Sequence, residues 1–156
     1  MDDLQLFPYQ HEGVVFLTGH KRALLADEMG LGKSAQVVRA CDVLGFRKIL
    51  ILCPGIARVN WVREFEKFSL CKGKHQRKSK VLYKRSDAIY PPDELVVASY
   101  DLAQAALCNN LACDQFSTHK PWDVLILDEC HFLKATTAKR SKFVLGAKGL
   151  VHKAKR

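Results

Sequence analysis

The sequence predicts an α/β domain, a mostly parallel β-sheet flanked by helices, and three observations carry the prediction. Residues 48–53 (KILILC), 95–98 (LVVA) and 124–127 (VLIL) are short, almost wholly apolar runs. They lack the alternation of a half-solvated strand, as strands buried on both faces do. Turn signals and helically spaced apolar residues separate them, and strands alternating with helices indicate a parallel sheet. Residues 22–34 (RALLADEMGLGKS) set a glycine-bearing turn between an apolar run and a helix, the layout of a phosphate-binding loop. Ligands of such sheets bind beyond the carboxyl ends of the strands, where Ser34, Pro54, Ser99 and Asp128 are expected to gather.

In chain order, residues 4–17 (LQLFPYQHEGVVFL) come first. Pro8 sets the direction, and Val14, Val15 and Leu17 read as one face of a short helix. The amide of Gln10 offers an acceptor and two donors in one plane, a match for an adenine edge, and Phe7 or Tyr9 could stack on the base. On the residues alone, a surface glutamine at a helix start is the plainer reading. Residues 23–26 (ALLA) then predict a short strand. Gly30 and Gly32 allow several N–H groups to turn toward one anion, and the following helix adds its positive end. Lys33 would reach the β- and γ-phosphates, and the Ser34 hydroxyl would hold Mg²⁺. The strict pattern has glycine where this chain has Asp27. The candidate nucleotide-binding residues are Gln10, Asp27, Glu28, Met29, Gly30, Leu31, Gly32, Lys33 and Ser34. The competing reading is an ordinary strand-to-helix turn with an exposed lysine.

The helix after the loop carries Ala35, Val37, Val38, Cys41 and Leu44 and ends at Gly45. Pro54-Gly55 closes the 48–53 strand, and a helix follows through Val59, Trp61, Val62, Phe65 and Phe68. Residues 71–80 read as a basic loop, 81–83 as a short strand, and Pro91-Pro92 as a break. A helix of small residues is expected from Ser99-Tyr100-Asp101 through Ala106. Residues 124–131 (VLILDECH) then deliver two carboxylates at the end of an apolar strand. Such a placement is costly unless charge or water meets it, and a Mg²⁺-nucleotide supplies both. Asp128 would hold the metal and Glu129 would polarise the attacking water.

At 156 residues the chain fits one domain with its own core. No apolar run approaches the roughly 20 residues of a membrane span, and the start lacks the layout of a signal peptide. A soluble intracellular protein with reduced cysteines is expected. Cys71 with His75, and Cys108 with Cys113 and His119, lack the paired knuckles of a zinc site, so no zinc is expected. The formal charge is +9, and residues 72–85 and 134–156 contain no acidic residue. Such blocks suit nucleic acid; the bland readings are solvated lysines and, at the carboxyl end, a disordered tail.

Five segments, LFPYQHEGVVFL, LLADEMGLGKS, ILILCPGIARVNWVREF, VVASYDLA and LILDECHFLK, together resemble the Swi/Snf-type ATPases, helicase-like motors of superfamily 2, the bacterial and phage forms above all. They fall in the family's order and cover most of residues 4–134. The resemblance implies the first of two RecA-like lobes, a P-loop NTPase fold. It makes Gln10 the adenine-reading glutamine, accommodates Asp27, and makes Asp128 and Glu129 the core of a DExH-type box. It assigns catalytic roles to Lys33, Asp128 and Glu129, with ATP and Mg²⁺ as ligands and double-stranded DNA as partner. Residues 54–61 and 99–100 resemble segments that touch the DNA backbone or pass on the nucleotide state, although Trp61 also suits a core. The implied location is cytoplasmic, or nuclear in a eukaryote.

Family members continue to a threonine-glycine-threonine-type coupling motif and a second lobe whose arginines complete the site. This sequence ends at Arg156, where that motif is expected, so residues 1–156 are expected to be one lobe without its partner. An arginine finger contributes about 10³- to 10⁵-fold in rate; the isolated lobe is therefore expected to bind Mg-ATP and hydrolyse it poorly. Two alternatives compete: a basic nucleic-acid-binding module with a vestigial nucleotide site, and the lobe of another superfamily-2 motor such as an RNA helicase.

Overall fold

The computed structural model of the chain describes residues 5–28, 30–84, 86–87, 94–103 and 122–156. Contacts divide the chain into two compact units, Met1–Phe46 with Asn60–Gln76, and Arg47–Val59 with Arg77–Arg156.

The first unit is helical. Its α1 (Pro8–Gly19) has Pro8 in the first turn, where a missing N–H costs nothing. The Phe7 N–H donates to Gln10 Oε1 at 2.9 Å, the returning half of a capping box. The core is Leu6, Val14, Ala35 and Ala40, with Leu17 and Phe68 against it. Val15, expected beside Val14, is exposed instead. The buried face runs Gln10, Val14, Leu17, and one residue along a helix is a rotation of about 100°. α2 (Lys33–Val43) buries Ala35, Val38 and Cys41, as its spacing predicts. It ends in a Schellman closure: Gly45 is left-handed at φ 65, and Phe46 N–H donates to the Cys41 carbonyl at 2.9 Å. α3 (Arg58–Phe68) buries Trp61 and Phe65. Just past its end, Ser69 Oγ and Leu70 N–H donate to the Asp42 carboxylate at 3.0 and 2.6 Å, fastening it to α2.

The strand expected at 23–26 is not there. No ladder of the described sheet includes it, and Leu24 is 68% exposed. With two alanines among four residues, the segment has little apolar surface to place in a sheet.

The second unit carries a four-stranded sheet in the order β2-β3-β1-β4. The strands are β1 (Ile49–Cys53), β2 (Ser79–Val81), β3 (Leu95–Ser99) and β4 (Val124–Leu127). Every pairing is parallel, and Ile49 lies opposite both Leu95 and Val124. β2 starts two residues before the expected 81–83, although Leu82 N–H still donates to the Val97 carbonyl at 2.9 Å. One face of the sheet, Leu50, Leu52, Val96 and Ala98, packs against Trp122, Leu133, Val144 and Leu150. Val144 belongs to α4 (Lys139–Leu145) and Leu150 to a single 3₁₀ turn, Leu150–His152.

Asp123 secures the entry to β1 and β4. Its Oδ2 accepts from the Arg47 and Lys48 N–H groups at 2.9 Å each, and its Oδ1 from Lys155 Nζ at 2.7 Å. Burial alone would raise its pKa, but the hydrogen bonds from Lys155, Lys48 and Arg47 outweigh burial and lower it. The basic carboxyl end is not a loose tail. Trp122 pairs with Ala154 in a parallel bridge, and Leu125 N–H donates to the Arg156 carbonyl at 2.9 Å. Nor is the 71–80 block uniformly solvated, since Arg77 is buried. The backbone is helical over residues 100–103. The rest of that expected helix, the Pro91-Pro92 break, and Cys108, Cys113 and His119 lie outside the described residues.

Leu50 sits in the central strand without exposed surface. Leu50→Ala is expected to cost about 2–5 kcal/mol of stability, the range for truncating a core leucine. A urea titration followed by circular dichroism checks this, with the midpoint falling and the slope unchanged.

Candidate functional site

In the first unit the glycine loop takes the shape its residues require. Gly30 and Gly32 have φ of 87 and 70, a region that L side chains avoid. Gly32 answers a second demand, because a Cβ there would lie 2.3 Å from Gln10 Nε2. α2 begins at Lys33 with no side chain capping it, and Gln36 N–H is the first to reach back, to the Gly32 carbonyl at 3.3 Å. Uncapped N–H groups at the head of a helix favour an anion. Lys33 Nζ folds onto the loop, donating to the Asp27 and Glu28 carbonyls at 2.7 and 2.8 Å.

Gln10 belongs to the same unit. Its Oε1 accepts from Phe7 N–H and its Nε2 donates to the Leu31 carbonyl at 3.2 Å. It is buried, which rules out the surface-glutamine reading. One N–H and one lone pair of its amide remain for a ligand. The two aromatics considered for stacking on a base lie parallel, Phe7 and Tyr9 with centroids 5.8 Å apart. Beside the loop, a groove of about 580 Å³ is lined by Tyr9, Gly13 and Phe16 of α1 and by Leu24, Asp27 and Leu31 among others, a volume in the range of small-ligand pockets. Met29 lies outside the described residues.

In the second unit, β4 carries its carboxylates past the sheet as expected. Asp128 N–H donates to the Leu52 carbonyl at 2.9 Å, one residue beyond the end of β4. The chain then reverses at Glu129, which has φ 50 and ψ 48 and is the one positive-φ residue other than glycine among those described. The 3₁₀ turn Cys130–Leu133 follows. His131 Nδ1 lies 3.1 Å from Glu129 Oε2. The Tyr100 hydroxyl donates to the Asp128 carbonyl at 2.8 Å, and its ring stacks on Phe132. Burial pushes the Tyr100 hydroxyl up, with the charges of Cys130 and Asp128 adding. Burial also pushes the Cys53 thiol up to about 12, reinforced by Asp128.

The structure thus assembles Gln10, Asp27, Glu28, Leu31, Gly32 and Lys33 in one unit, with Gly30 and Ser34 on the same loop and helix. It assembles Asp128, Glu129 and His131 in the other. Ser99 acts locally, its Oγ accepting from Leu102 N–H at 3.2 Å as a helix cap does. Trp61 is a core aromatic, buried in α3. Sequence reasoning missed Gln36, the Tyr100 hydroxyl and Gly13. A lone glycine inside a helical pattern was the available signal for Gly13.

A parallel sheet, a glycine loop at the head of a helix and an acidic turn after a half-buried apolar strand define the class of RecA-like P-loop domains. Residues 9–151 match the family model of the SNF2-related domain, and the chain belongs to that family. It is 33% identical to the DNA annealing helicase and endonuclease ZRANB3 of Mus musculus, over 97% of this chain and 14% of that protein. It is 34% identical to the SWI/SNF-related matrix-associated actin-dependent regulator of chromatin subfamily A-like protein 1 homolog of Caenorhabditis elegans, over 88% of this chain and 19% of that one. The Sulfolobus solfataricus SWI2/SNF2 ATPase core, solved in complex with dsDNA, matches its fold with a TM-score of 0.76 at 22% identity, covering 95% of this chain and 31% of that one. The chain therefore spans 14% and 19% of these two relatives. None of the three supports the bacterial or phage type suggested by the motif wording.

The raised Cys53 pKa has a sign that can be tested. Because the folded value of about 12 exceeds the ordinary 9.0, its contribution to stability is complete below pH 9. It is lost as pH rises toward 12, where the unfolded chain ionises first. Cys53→Ala is expected to flatten the alkaline fall of Tm between pH 9 and 11; an unaltered slope would mean that the thiol is not held protonated.

Proposed function

We propose that this chain is the ATP-binding lobe of a DNA-dependent ATPase that works on double-stranded DNA as a translocase or remodeller. One observation carries the reading: a buried glutamine with spare hydrogen-bonding capacity is bonded to the same glycine loop that leads into the uncapped head of α2. Base recognition and phosphate recognition are then parts of one hydrogen-bonded unit. Membership of the SNF2-related family supports this. So do the names of its relatives, a DNA annealing helicase and a regulator of chromatin, and the dsDNA bound by the structural match.

Roles follow residue by residue. In the first unit, Gln10 reads the adenine edge, and the backbone of residues 27–34 (Asp27, Glu28, Met29, Gly30, Leu31, Gly32, Lys33, Ser34) cradles the phosphates. The loop fits that task, since Gly30 is left-handed with open space where a Cβ would stand. Lys33 exchanges the Asp27 and Glu28 carbonyls for phosphate oxygens, and the Ser34 hydroxyl offers a ligand to Mg²⁺. In the second unit, Asp128 is the carboxylate for Mg²⁺, and Glu129 orients and polarises the attacking water. The metal, when bound, neutralises the charge of the transferring phosphate. The arginines of a second lobe are expected to complete the site, so this lobe alone turns over slowly. The acid-free stretches 72–85 and 134–156 are the proposed sources of phosphate-backbone contacts with DNA. Arg77 is buried and Lys155 is engaged with Asp123, so only part of each stretch is free for that role.

Calorimetric titration of the purified chain with Mg-ATP tests the reading. The wild type is expected to bind, and Lys33→Ala to lose binding while keeping its circular dichroism spectrum; equal binding by both would remove Lys33 from the site. Phosphate release is expected to stay low with or without duplex DNA. Robust DNA-stimulated release would contradict the assignment of a half-site. Binding to duplex DNA is expected to weaken steeply with salt and to survive in Lys33→Ala.

A further inference from the structure

The carbonyl of Leu31, near the apex of the glycine loop, faces amides from two helices. Gln10 of α1 points Nε2 at it from 3.2 Å, and Gln36 of α2 from 3.4 Å. Gln36 Nε2 also lies 3.4 Å from Asp27 Oδ2. These are long contacts, yet they fix which way the amide faces. Turned over, its oxygen would confront two acceptors, a carbonyl and a carboxylate. The oxygen is therefore left on the far side, where Oε1 is buried without a donor among the described residues.

That far side is Gly13, in the middle of α1. A Cβ on Gly13 would lie 1.8 Å from Gln36 Oε1 and 2.8 Å from the amide carbon. Glycine is disfavoured in a helix interior, and a buried amide oxygen without a donor is also disfavoured. Both costs fall at one point and serve one arrangement, a fully buried Gln36 turned toward Leu31 and Asp27. Asp27 is also the residue that stands where the strict phosphate-loop pattern has glycine. Its carboxylate faces Gln36 and its carbonyl accepts from Lys33.

We propose that Gln36 is a positioning residue of the nucleotide loop: through Leu31 and Asp27 it fixes the loop before nucleotide arrives, and Gly13 exists to make room for it. The proposal rests on the nucleotide-binding reading for its effect on affinity, and on geometry alone for its effect on the loop.

Four variants of the full chain test it, with affinity for a fluorescent ATP analogue and amide hydrogen exchange of the nucleotide-free protein as readouts. Gln36→Met keeps most of the volume and removes the donor. It is expected to weaken affinity about tenfold, the scale of one lost buried hydrogen bond. It should also speed exchange over residues 31–34 while leaving β1 and β3 unchanged. Gly13→Ala is expected to do the same by displacing the amide. In Gln36→Ala the clash has no partner, so adding Gly13→Ala is expected to leave affinity unchanged and to raise Tm through better helix propensity. Losses that simply add in the double variant, or loop exchange that does not respond to Gln36→Met, would overturn the proposal. If the wild type binds no nucleotide, the functional reading fails, and loop exchange alone still decides whether Gln36 positions the loop.

Discussion

No residue of β1 is exposed, so its peptide groups must find partners within the protein. Parallel neighbours on both edges meet that demand, and the second unit is arranged around meeting it. β3 takes one edge and β4 the other, in a common register from Ile49. The same requirement extends past the end of β4, where Asp128 N–H donates to the Leu52 carbonyl. The acidic turn is thus placed by backbone pairing rather than by its own side chains. Once Leu52 has Asp128 for a partner, Glu129 is the first residue free to change direction, and the chain turns there.

The first unit solves a different problem, that of holding a loop rich in backbone N–H groups whose preceding residues, 23–26, join no strand of the described sheet. Its means are two glutamine amides and three glycines. Gly30 and Gly32 supply the left-handed backbone, and Gly32 and Gly13 supply clearance for Gln10 and Gln36. The amides in turn face the Leu31 carbonyl from two helices.

Most of the architecture could be read from the chain because its signals are local. All three apolar runs are strands of one parallel sheet, but only β1 and β3 have the burial that such sequences predict; β4, at the edge of the described sheet, is half-buried along its length. Gly45 closes α2 by the Schellman pattern its position implies. The acidic pair and the glycine loop were equally visible, since each is a contiguous motif. Residues 23–26 misled because an apolar run reports hydrophobicity and not the presence of a free sheet edge. Val15 misled because it sits beside Val14 in sequence and on another face of the helix in space. Gln36 and Tyr100 were invisible for a further reason: what matters is where a single polar atom points across 5 residues in one case and 28 in the other. Composition and periodicity carry no information about that.

The turn at Glu129 shows which contacts set the acidic site. A left-handed conformation at a residue other than glycine costs on the order of 1–3 kcal/mol. The nearby pairing of Glu129 with His131 cannot offset that, because both side chains are about half exposed and exposed pairs contribute roughly 0–1 kcal/mol. The Asp128 peptide is better placed. It donates to Leu52 and accepts from the buried Tyr100 hydroxyl, and each such bond contributes about 0.5–1.5 kcal/mol net. The Tyr100–Phe132 stack adds about 0.5–1.5 kcal/mol on the far side of the turn. Bonds to the peptide before Glu129 and a ring contact after it are therefore large enough, together, to hold the strained residue between them. The Glu129 carboxylate, paired with a half-exposed His131, contributes little to holding the turn and can change partners without removing the bonds that fix the backbone beneath it. The role proposed for Glu129, polarising water, would need that separation, and the buried tyrosine provides it.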